Sequence, residues 1–325
     1  MKTATLTVTD RPHYLREVLD SCKRIDWSGF RLYIGLEPMC DECASMCEAI
    51  DFVETEIIHN ETCLGINDNP FGLLERAFGD GSEYNVYLED DVIVSPDILD
   101  MTDWYLRQDL SNVMHLQFFQ SSSSPSFPES MILHNLFLCW GFVCTAEQWQ
   151  KHIKKAWRMN PQARTWDVSV LQYMQAQQLD GYVPMLSRSR NIGTVGTNAA
   201  ASAELTRLST LPHYKGGDTV AYRTETDVPM HTVFSCESAA IPIASGILDQ
   251  FDQVFNTWEG CKGSSIHVDS KAANRFWVSQ VWSSLDAFHE CIRSRYDLLG
   301  ELEKICPAGL QTSFSRPEGA TWVAR

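Results

Sequence analysis

The sequence lacks any run of the roughly 18 to 20 apolar residues that a membrane-spanning helix requires. Its first ten residues, MKTATLTVTD, alternate in the manner of a strand and contain no apolar core of the kind found in signal peptides. These two absences argue against a membrane anchor and against a secretory leader. We therefore expect a cytoplasmic protein without a membrane partner.

Basic residues are scarce, with 26 Lys and Arg against 42 Asp and Glu and a formal net charge of −16. This balance disfavours a broad contact with nucleic acid or with an anionic membrane, because both surfaces are negatively charged. A local basic patch is still compatible with the composition, so a nucleic-acid partner stays open. The residues available for such a patch are Arg188, Arg190, Arg207 and Lys215.

The eleven cysteines are an odd number scattered along a long chain, which favours reduced thiols over a disulfide framework. Cys40, Cys43, Cys47 and Cys63 lie close enough in sequence to allow two interpretations. They could bind a metal, or they could pack on one helix face, where buried cysteine acts as a small hydrophobe. Structural zinc sites usually use paired knuckles, so we favour the packing interpretation.

The most informative stretch is an apolar run, Val86–Leu88, that leads directly into Glu89, Asp90 and Asp91. Three acids at the end of a buried strand repel one another, but Mn²⁺ or Mg²⁺ together with an anionic ligand would balance their charge. Open α/β sheets bind ligands outside the carboxyl ends of their strands, so this position fits a metal-bound diphosphate. The alternative is a solvated acidic turn.

Strands and helices alternate with short connections over the first 200 residues, which predicts a mostly parallel sheet covered by helices on both faces. Beyond about residue 205 the pattern weakens, and we predict two helices there, near 247–258 and 274–305. We expect two regions, 1–204 and 205–325. The predicted strands of the first region lie at 5–9, 30–35, 52–58, 86–88, 113–119 and 182–186, and we expect the stretch 136–144 to return to the core.

Six segments in order resemble the GT-A glycosyltransferases: TDRPHYLREVLDSC, the strand ending at Glu37, LEDDVIVSPD, LCWGFVC, TWD and PMLSRSRNIG. The nearest resemblance is to the N-acetylglucosaminyltransferase I family with its bacterial and phage relatives, over roughly residues 3–200. It implies a Rossmann-like GT-A catalytic domain in 1–204 that transfers a sugar, with inversion, from a nucleotide-sugar to a hydroxyl. The expected donor is a UDP-sugar. The DXD-like acidic motif would act with a metal ion.

The resemblance assigns roles residue by residue. It makes Asp91 the ligand of Mn²⁺ and Asp167 the catalytic base, although Asp167 could instead only cap its helix. The family often has a histidine ligand where this chain has Asn198, so the metal would be held by Asp91, phosphates and water. The residues assigned to the nucleotide-sugar are Thr9, Asp10, Arg11, Glu37, Glu89, Asp90, Ser187 and Arg188.

The resemblance does not specify the acceptor. The candidates are a glycan, a small molecule and a hydroxymethylated pyrimidine in DNA of the phage type. We expect the Ser-rich loop Gln120–Pro128 to be mobile and to form the acceptor side together with region 205–325, which would otherwise only pack against the catalytic domain. Phe118, Phe119 and Trp140 are the aromatic residues expected to stack on sugar or acceptor.

Two other functions remain open at this stage. The first is a catalytically inactive GT-A domain that binds a nucleotide or a glycan as a scaffold, and it predicts binding without turnover. The second is a Mg²⁺-dependent nucleotidyl- or phosphotransferase that uses the same acidic strand. It would be expected to carry a Lys/Arg-rich phosphate loop after the first strand, and Asp10-Arg11-Pro12 does not supply one.

Overall fold

A nine-stranded sheet organises the larger part of the chain. The computed structural model describes residues 1–38, 40–121, 123, 128–160, 165–193, 208–217, 220–224, 228–269, 272–283, 285–306, 311–313 and 322–324. The sheet has the spatial order β11-β7-β9-β6-β8-β4-β1-β2-β3, and most neighbouring pairs are parallel. Its strands are β1 Lys2–Val8, β2 Phe30–Leu36, β3 Glu54–His59, β4 Tyr84–Glu89, β6 Val113–Gln117, β7 Ser130–His134, β8 Phe142–Thr145, β9 Asp180–Pro184 and β11 Arg223–Thr224.

Helices cover both faces of this sheet, as predicted. On β2, Leu32 and Ile34 pack into the core beneath α1, whereas Tyr33 points to the opposite face and packs with Leu73 and Ala77 of α3. The helices of this part are α1 Pro12–Cys22, α2 Asp41–Glu48, α3 Gly65–Gly79, α4 Ile98–Tyr105, α5 Ala146–Gln148, a π-helical turn Trp149–Ile153, α6 Lys154–Ala156 and α7 Trp166–Ala176.

A second, antiparallel sheet forms in the C-terminal part, in the order β15-β12-β14-β13-β16. Chain order alternates strand, helix, two strands and a helical pair before the last strands, a βαββαβ arrangement. The elements are β12 Val228–Ser235, a 3₁₀ turn Ser238–Ala240, α8 Ile241–Thr257, β13 Cys261–Asp269, β14 Ala272–Trp282, α9 Leu285–Ser294, α10 Tyr296–Ile305, β15 Gln311–Ser313 and β16 Trp322–Ala324.

The predicted fold class is confirmed, including the helices of the C-terminal region, but that region also contains a sheet that we did not predict. The helix expected at 274–305 begins only at Leu285, because the chain before it forms β14. There Phe276, Val278 and Trp282 are buried and are separated by even numbers of residues, so they lie on one face of a strand. β7 was not predicted either.

One hydrophobic cluster joins the two sheets. Ile132 of β7, Val183 of β9 and Met185 pack in the same cluster as the C-terminal helices. β11 at 223–224 follows the predicted boundary and still pairs with β7 of the first sheet. The boundary at 204/205 lies outside the described residues and stays a prediction.

The cysteines are all free, as the composition predicted. Cys43 and Cys47 are fully buried in the core of the first region, and Cys63 is exposed. This placement favours the packing interpretation of these thiols over a metal site. Within the described ranges, no helix combines the length and the apolar character that crossing a bilayer needs.

The contact between β2 and α3 generates a stability prediction. Asn69 donates from Nδ2 to the carbonyl of Gly35 at 3.0 Å, and a Cβ at Gly35 would lie 2.0 Å from Asn69 Oδ1. Gly35→Ala should therefore lower the free energy of unfolding by about 1–3 kcal/mol. Gly72→Ala is the control, because that helical position faces open space and should gain up to about 1 kcal/mol. Urea denaturation measures both, and equal stability of Gly35→Ala and the wild type would contradict this packing.

Candidate active site at the carboxyl ends of β1 and β4

The carboxyl ends of β1 and β4 lie side by side, since the two strands pair in parallel with Thr7 opposite Glu89. The segments that follow them therefore meet. Asp90 Oδ2 accepts hydrogen bonds from the backbone N–H of Thr9 and from Thr9 Oγ1, each at 2.7 Å. Four of the predicted site residues, Thr9, Arg11, Asp90 and Asp91, are thus brought into contact by the strand register. Asp10 is exposed in the turn before α1.

Arg11 is the cation at the centre of this arrangement. Its Nη2 pairs with Asp90 Oδ1, its Nη1 lies 2.5 Å from Asp91 Oδ2, and its Nε donates to Thr9 Oγ1 at 3.1 Å. Burial alone would lower the pKa of Arg11, but the carboxylates of Asp91 and Asp90 outweigh it and raise that pKa. Burial raises the pKa of Asp91, against the opposing effect of Arg11. The guanidinium thus neutralises much of the charge of both acids.

A glycine closes the site over Asp91. β5 Val92–Val94 pairs with β10 Ser189–Asn191, and the next residue, Ile192, donates its N–H to the Asp91 carbonyl at 2.8 Å. A Cβ at Gly193 would lie 2.1 Å from Asp91 Oδ2. Only glycine permits this approach without displacing the carboxylate. Gly193 ends the segment PMLSRSRNIG that the sequence analysis singled out, but spacing alone could not show its contact with Asp91.

Glu89 is an acid that Arg11 does not reach. Its Oε1 accepts a hydrogen bond from the hydroxyl of Tyr87 at 2.9 Å. Burial and the neighbouring Asp91 and Asp167 raise the pKa of Glu89 to about 8, despite the hydrogen bond from Tyr87. The shift shows that Asp167, which is 78 positions away in sequence (167 − 89), is close enough for its charge to act on Glu89.

Asp167 is held at the first turn of α7, next to these acids. Thr165 and not Asp167 is the N-cap residue, so the capping alternative is not supported by its position. Asn67 accepts the N–H of Trp166 on its side-chain oxygen at 2.9 Å and the Nε1–H of Trp157 on its carbonyl at 2.9 Å. The rings of Trp157 and Trp166 stack with centroids 3.8 Å apart. The start of the helix is therefore well anchored.

Cys139 lies between the acids, and sequence reasoning missed it. Its Sγ is 4.0 Å from Asp167 Oδ2. Burial raises the pKa of the Cys139 thiol, and the charges of Glu89, Asp167 and Asp91 raise it further. The thiol is accordingly neutral, so it is a poor candidate for a nucleophile.

Glu37 supports the start of α3. Its two carboxylate oxygens accept the backbone N–H groups of Leu64 at 2.9 Å and of Gly65 at 3.0 Å, and the residue is buried. A carboxylate is favourable there because the first N–H groups of a helix lack partners within the helix. The contact of Glu37 with the nucleotide-sugar, which the resemblance implies, stays a prediction.

Ser187 and Arg188 both lie in the interior. Ser187 Oγ accepts the N–H of Gln120 at 2.7 Å. The Arg188 side chain is 0% exposed, and its Nε donates to Asp97 Oδ2 at 3.0 Å while Nη1 and Nη2 donate to the carbonyls of Leu186 and Pro128, each at 2.6 Å. Tyr214 and Tyr222 lie against the guanidinium. This environment favours a structural role for Arg188 over the predicted contact with donor phosphates.

Two aromatic residues expected at the ligand are buried. Phe118 and Phe119 are 0% and 1% exposed, so the stacking interpretation is wrong for them in this structure, whereas Trp140 is half-buried. Most of the loop Gln120–Pro128 and Asn198 fall outside the described residues. Ser123 is described, and its Oγ accepts the N–H of Ser187 at 2.9 Å.

The oxygen atoms that the protein offers suit a hard cation only if a bound ligand supplies further metal ligands. Within the described part of the chain, no three His, Cys, Asp or Glu side chains are arranged to hold a metal by themselves. The carboxyl groups of Glu89, Asp90, Asp91 and Asp167 offer several oxygen donors, and Arg11 pairs with those of Asp90 and Asp91. That chemistry fits Mn²⁺ or Mg²⁺ bound at Asp91 with further oxygen ligands from phosphate or water.

The burial of Arg188 yields a prediction. Arg188→Met leaves Asp97 buried without its cation, and the free energy of unfolding should fall by about 3–5 kcal/mol. Arg16→Met is the control, because Arg16 forms an exposed pair with Glu42 at 3.0 Å that is worth at most about 1 kcal/mol. Chemical denaturation compares the two. A stable Arg188→Met variant that loses only nucleotide affinity would restore the phosphate assignment.

No protein-family model matches the chain, and no curated protein matches it. Among solved structures, TarS from S. aureus, a glycosyltransferase, is similar at a TM-score of 0.43 and 13% identity, over 56% of this chain and 58% of that chain. SnoaB, a cofactor-independent oxygenase from Streptomyces nogalater, is similar at a TM-score of 0.26 and 12% identity, over 29% of this chain and 95% of that chain. Rv0793 from Mycobacterium tuberculosis has a TM-score of 0.26 and 13% identity, over 28% and 94% of the two chains. All three TM-scores lie below 0.5, so none of these similarities establishes an activity.

Proposed function

We propose that this protein is a metal-dependent, inverting glycosyltransferase that moves a sugar from a nucleotide-sugar, with a UDP-sugar as the expected donor, to an acceptor hydroxyl. The observation that carries the proposal is the meeting of Asp91 and Glu89 with Asp167, acids from two distant elements, at the carboxyl ends of a parallel sheet. This is where open α/β sheets bind their ligands. It is also an arrangement that a hard cation and a phosphorylated ligand would neutralise.

On the donor side, Asp91 is the residue proposed to hold Mn²⁺ or Mg²⁺. When bound, the cation supplies neutralisation of the charge that develops on the leaving diphosphate. Arg11, which already carries a positive charge between Asp90 and Asp91, would act on the same anionic leaving group. Glycine at 193 keeps the space beside Asp91 Oδ2 free of a side chain.

Asp167 is the proposed general base. The acceptor oxygen attacks the anomeric carbon, its proton passes to the Asp167 carboxylate, and the bond from that carbon to the diphosphate oxygen breaks with its electron pair leaving on the nucleoside diphosphate. Attack opposite the leaving group inverts the configuration. The anchoring of α7 through Asn67 and the stacked Trp157 and Trp166 would hold the base in one orientation.

The acceptor class stays a proposal of the same kind: a glycan, a small molecule or a hydroxymethylated pyrimidine in DNA. The net charge of −16 counts against DNA. A buried Arg188 weakens that option further, because it removes one of the basic residues that a nucleic-acid surface would use.

A nucleotide-binding scaffold without turnover is the second candidate. The ion pair between Arg11 Nη1 and Asp91 Oδ2, 2.5 Å long, favours this candidate. A metal ion would have to compete with Arg11 for that carboxylate oxygen. In that case the nucleotide would bind with equal affinity in the presence and absence of a divalent cation. The two candidates therefore differ in metal dependence as well as in turnover.

The first test concerns the metal ligand. Asp91→Asn retains the size of the side chain but removes its charge, so Mn²⁺-dependent binding of UDP should be lost and UDP-sugar turnover abolished. Calorimetric titration of UDP with and without Mn²⁺ measures the first effect, and UDP release from a panel of UDP-sugars measures the second. Undiminished turnover of this variant in the presence of EDTA would refute a metal-dependent mechanism.

The second test concerns the base. Asp167→Asn cannot accept the proton, so turnover of the UDP-sugar should fall by roughly 10²–10⁴-fold while donor affinity is retained. Asp100→Asn is the matched control, because Asp100 is an exposed acid in the first turn of α4. It reproduces the loss of a helix-terminal charge without touching the site. If donor affinity and turnover fell together, Asp167 would have a structural role instead.

A further inference from the structure

A cavity of about 320 Å³ lies within the C-terminal part, away from the acidic site. It is enclosed by the inner face of β12 and β14 on one side and by α8, α9 and α10 on the other, with His134 of β7 at its edge. Protein interiors are normally packed to the density of organic crystals. A space of this size falls at the lower end of the range for small-molecule sites.

The wall of the cavity is mainly apolar and strongly aromatic. Four phenylalanines line it, together with aliphatic residues such as Leu248 and Leu302, and all six are less than 10% exposed. Aromatic walls favour an aromatic occupant, because offset and edge-to-face ring contacts add to the gain from apolar burial. The four are Phe234, Phe251, Phe255 and Phe288.

One polar residue interrupts this surface. Gln280 is 2% exposed and lies in the inner row of β14, between the buried Val278 and Trp282. Its Nε2 has no hydrogen-bond partner among the described residues, and its side chain lines the cavity. A buried donor without a partner destabilises a fold unless something supplies an acceptor. An oxygen atom of a ligand in the cavity would supply such an acceptor.

The ionisable groups around the cavity favour a neutral ligand. His134 and His289 lie with their rings 5.5 Å apart. Burial lowers the pKa of His134 to about 3, and burial likewise lowers the pKa of His289, so both imidazoles are neutral at physiological pH. The carboxylate side chain of Glu303 is exposed at the rim. Among the described residues of the lining there is no Lys or Arg to attract an anionic compound, and Glu303 would repel one.

We propose that this cavity binds a compact, neutral aromatic molecule that carries a carbonyl or comparable acceptor oxygen, which accepts a hydrogen bond from Gln280 Nε2. The site is separate from the acidic residues at the ends of β1 and β4. It would exist whether or not those residues catalyse glycosyl transfer.

A pair of probes of the same shape tests the acceptor. Benzophenone carries a carbonyl oxygen, and diphenylmethane lacks it. The full-length wild-type protein should bind benzophenone about 3- to 10-fold more tightly than diphenylmethane, as expected for one hydrogen bond. Gln280→Leu should abolish this preference, mainly by weakening the binding of benzophenone. Gln253→Leu changes an exposed glutamine of α8 and should retain the preference.

The location is tested independently of any variant. Irradiation of benzophenone bound to the wild type should crosslink it to peptides containing residues 248–255 or 276–282, identified by mass spectrometry. The proposal is overturned if neither probe binds, if the two bind with equal affinity to the wild type, or if the crosslinks fall outside the cavity. Denaturation of Gln280→Leu checks that a lost preference reflects the missing donor and not an unfolded chain.

Discussion

The ion pairs of Arg11 with Asp90 and Asp91 are the interaction on which the acidic site depends. Three consecutive acids at the end of a buried strand would otherwise raise one another's pKa values and tend to neutralise by taking up protons. Arg11 comes from the end of β1, which the parallel register sets beside the end of β4. The core of the first sheet therefore determines the site, because any slip between these strands would move the guanidinium away from both carboxylates.

Arg11 pairs with Asp90 and Asp91, whereas Glu89, the third acid of the run, is shifted toward its protonated form. Glu89 is outside its reach and has its pKa raised to about 8, first by burial and then by Asp91 and Asp167. A fold that served only for stability would gain by replacing such acids with apolar residues. Their presence at the ligand-binding edge of an α/β sheet indicates function. The proposed hard cation and phosphorylated ligand would compensate the charge of Asp91 and Asp167.

Local sequence patterns were sufficient to predict individual strands and the α/β class of the first region. The run before Glu89 predicted β4, and the alternation of strands and helices predicted the sheet around it. The sequence could not show that Gly193 lies against Asp91 or that Asp167 acts on Glu89, since both are contacts between distant segments. Arg188 shows the same limit from the other side. The resemblance assigned it to the nucleotide-sugar, but its side chain turns inward to Asp97.

The C-terminal part was the least predictable from sequence. A polar residue within a buried row of apolar residues hides the alternation that would identify a strand. In β14 the inner row includes Gln280, so the alternation of buried apolar residues is broken at one position. The same residue opens onto the cavity, and Gln120 at the cavity's other wall donates its N–H to Ser187 just before β10. This hydrogen bond links the lining of the cavity to the segment that leads through β10 to Gly193. The cavity and the acidic site have separate linings, so a change of residue in one leaves the contacts of the other in place.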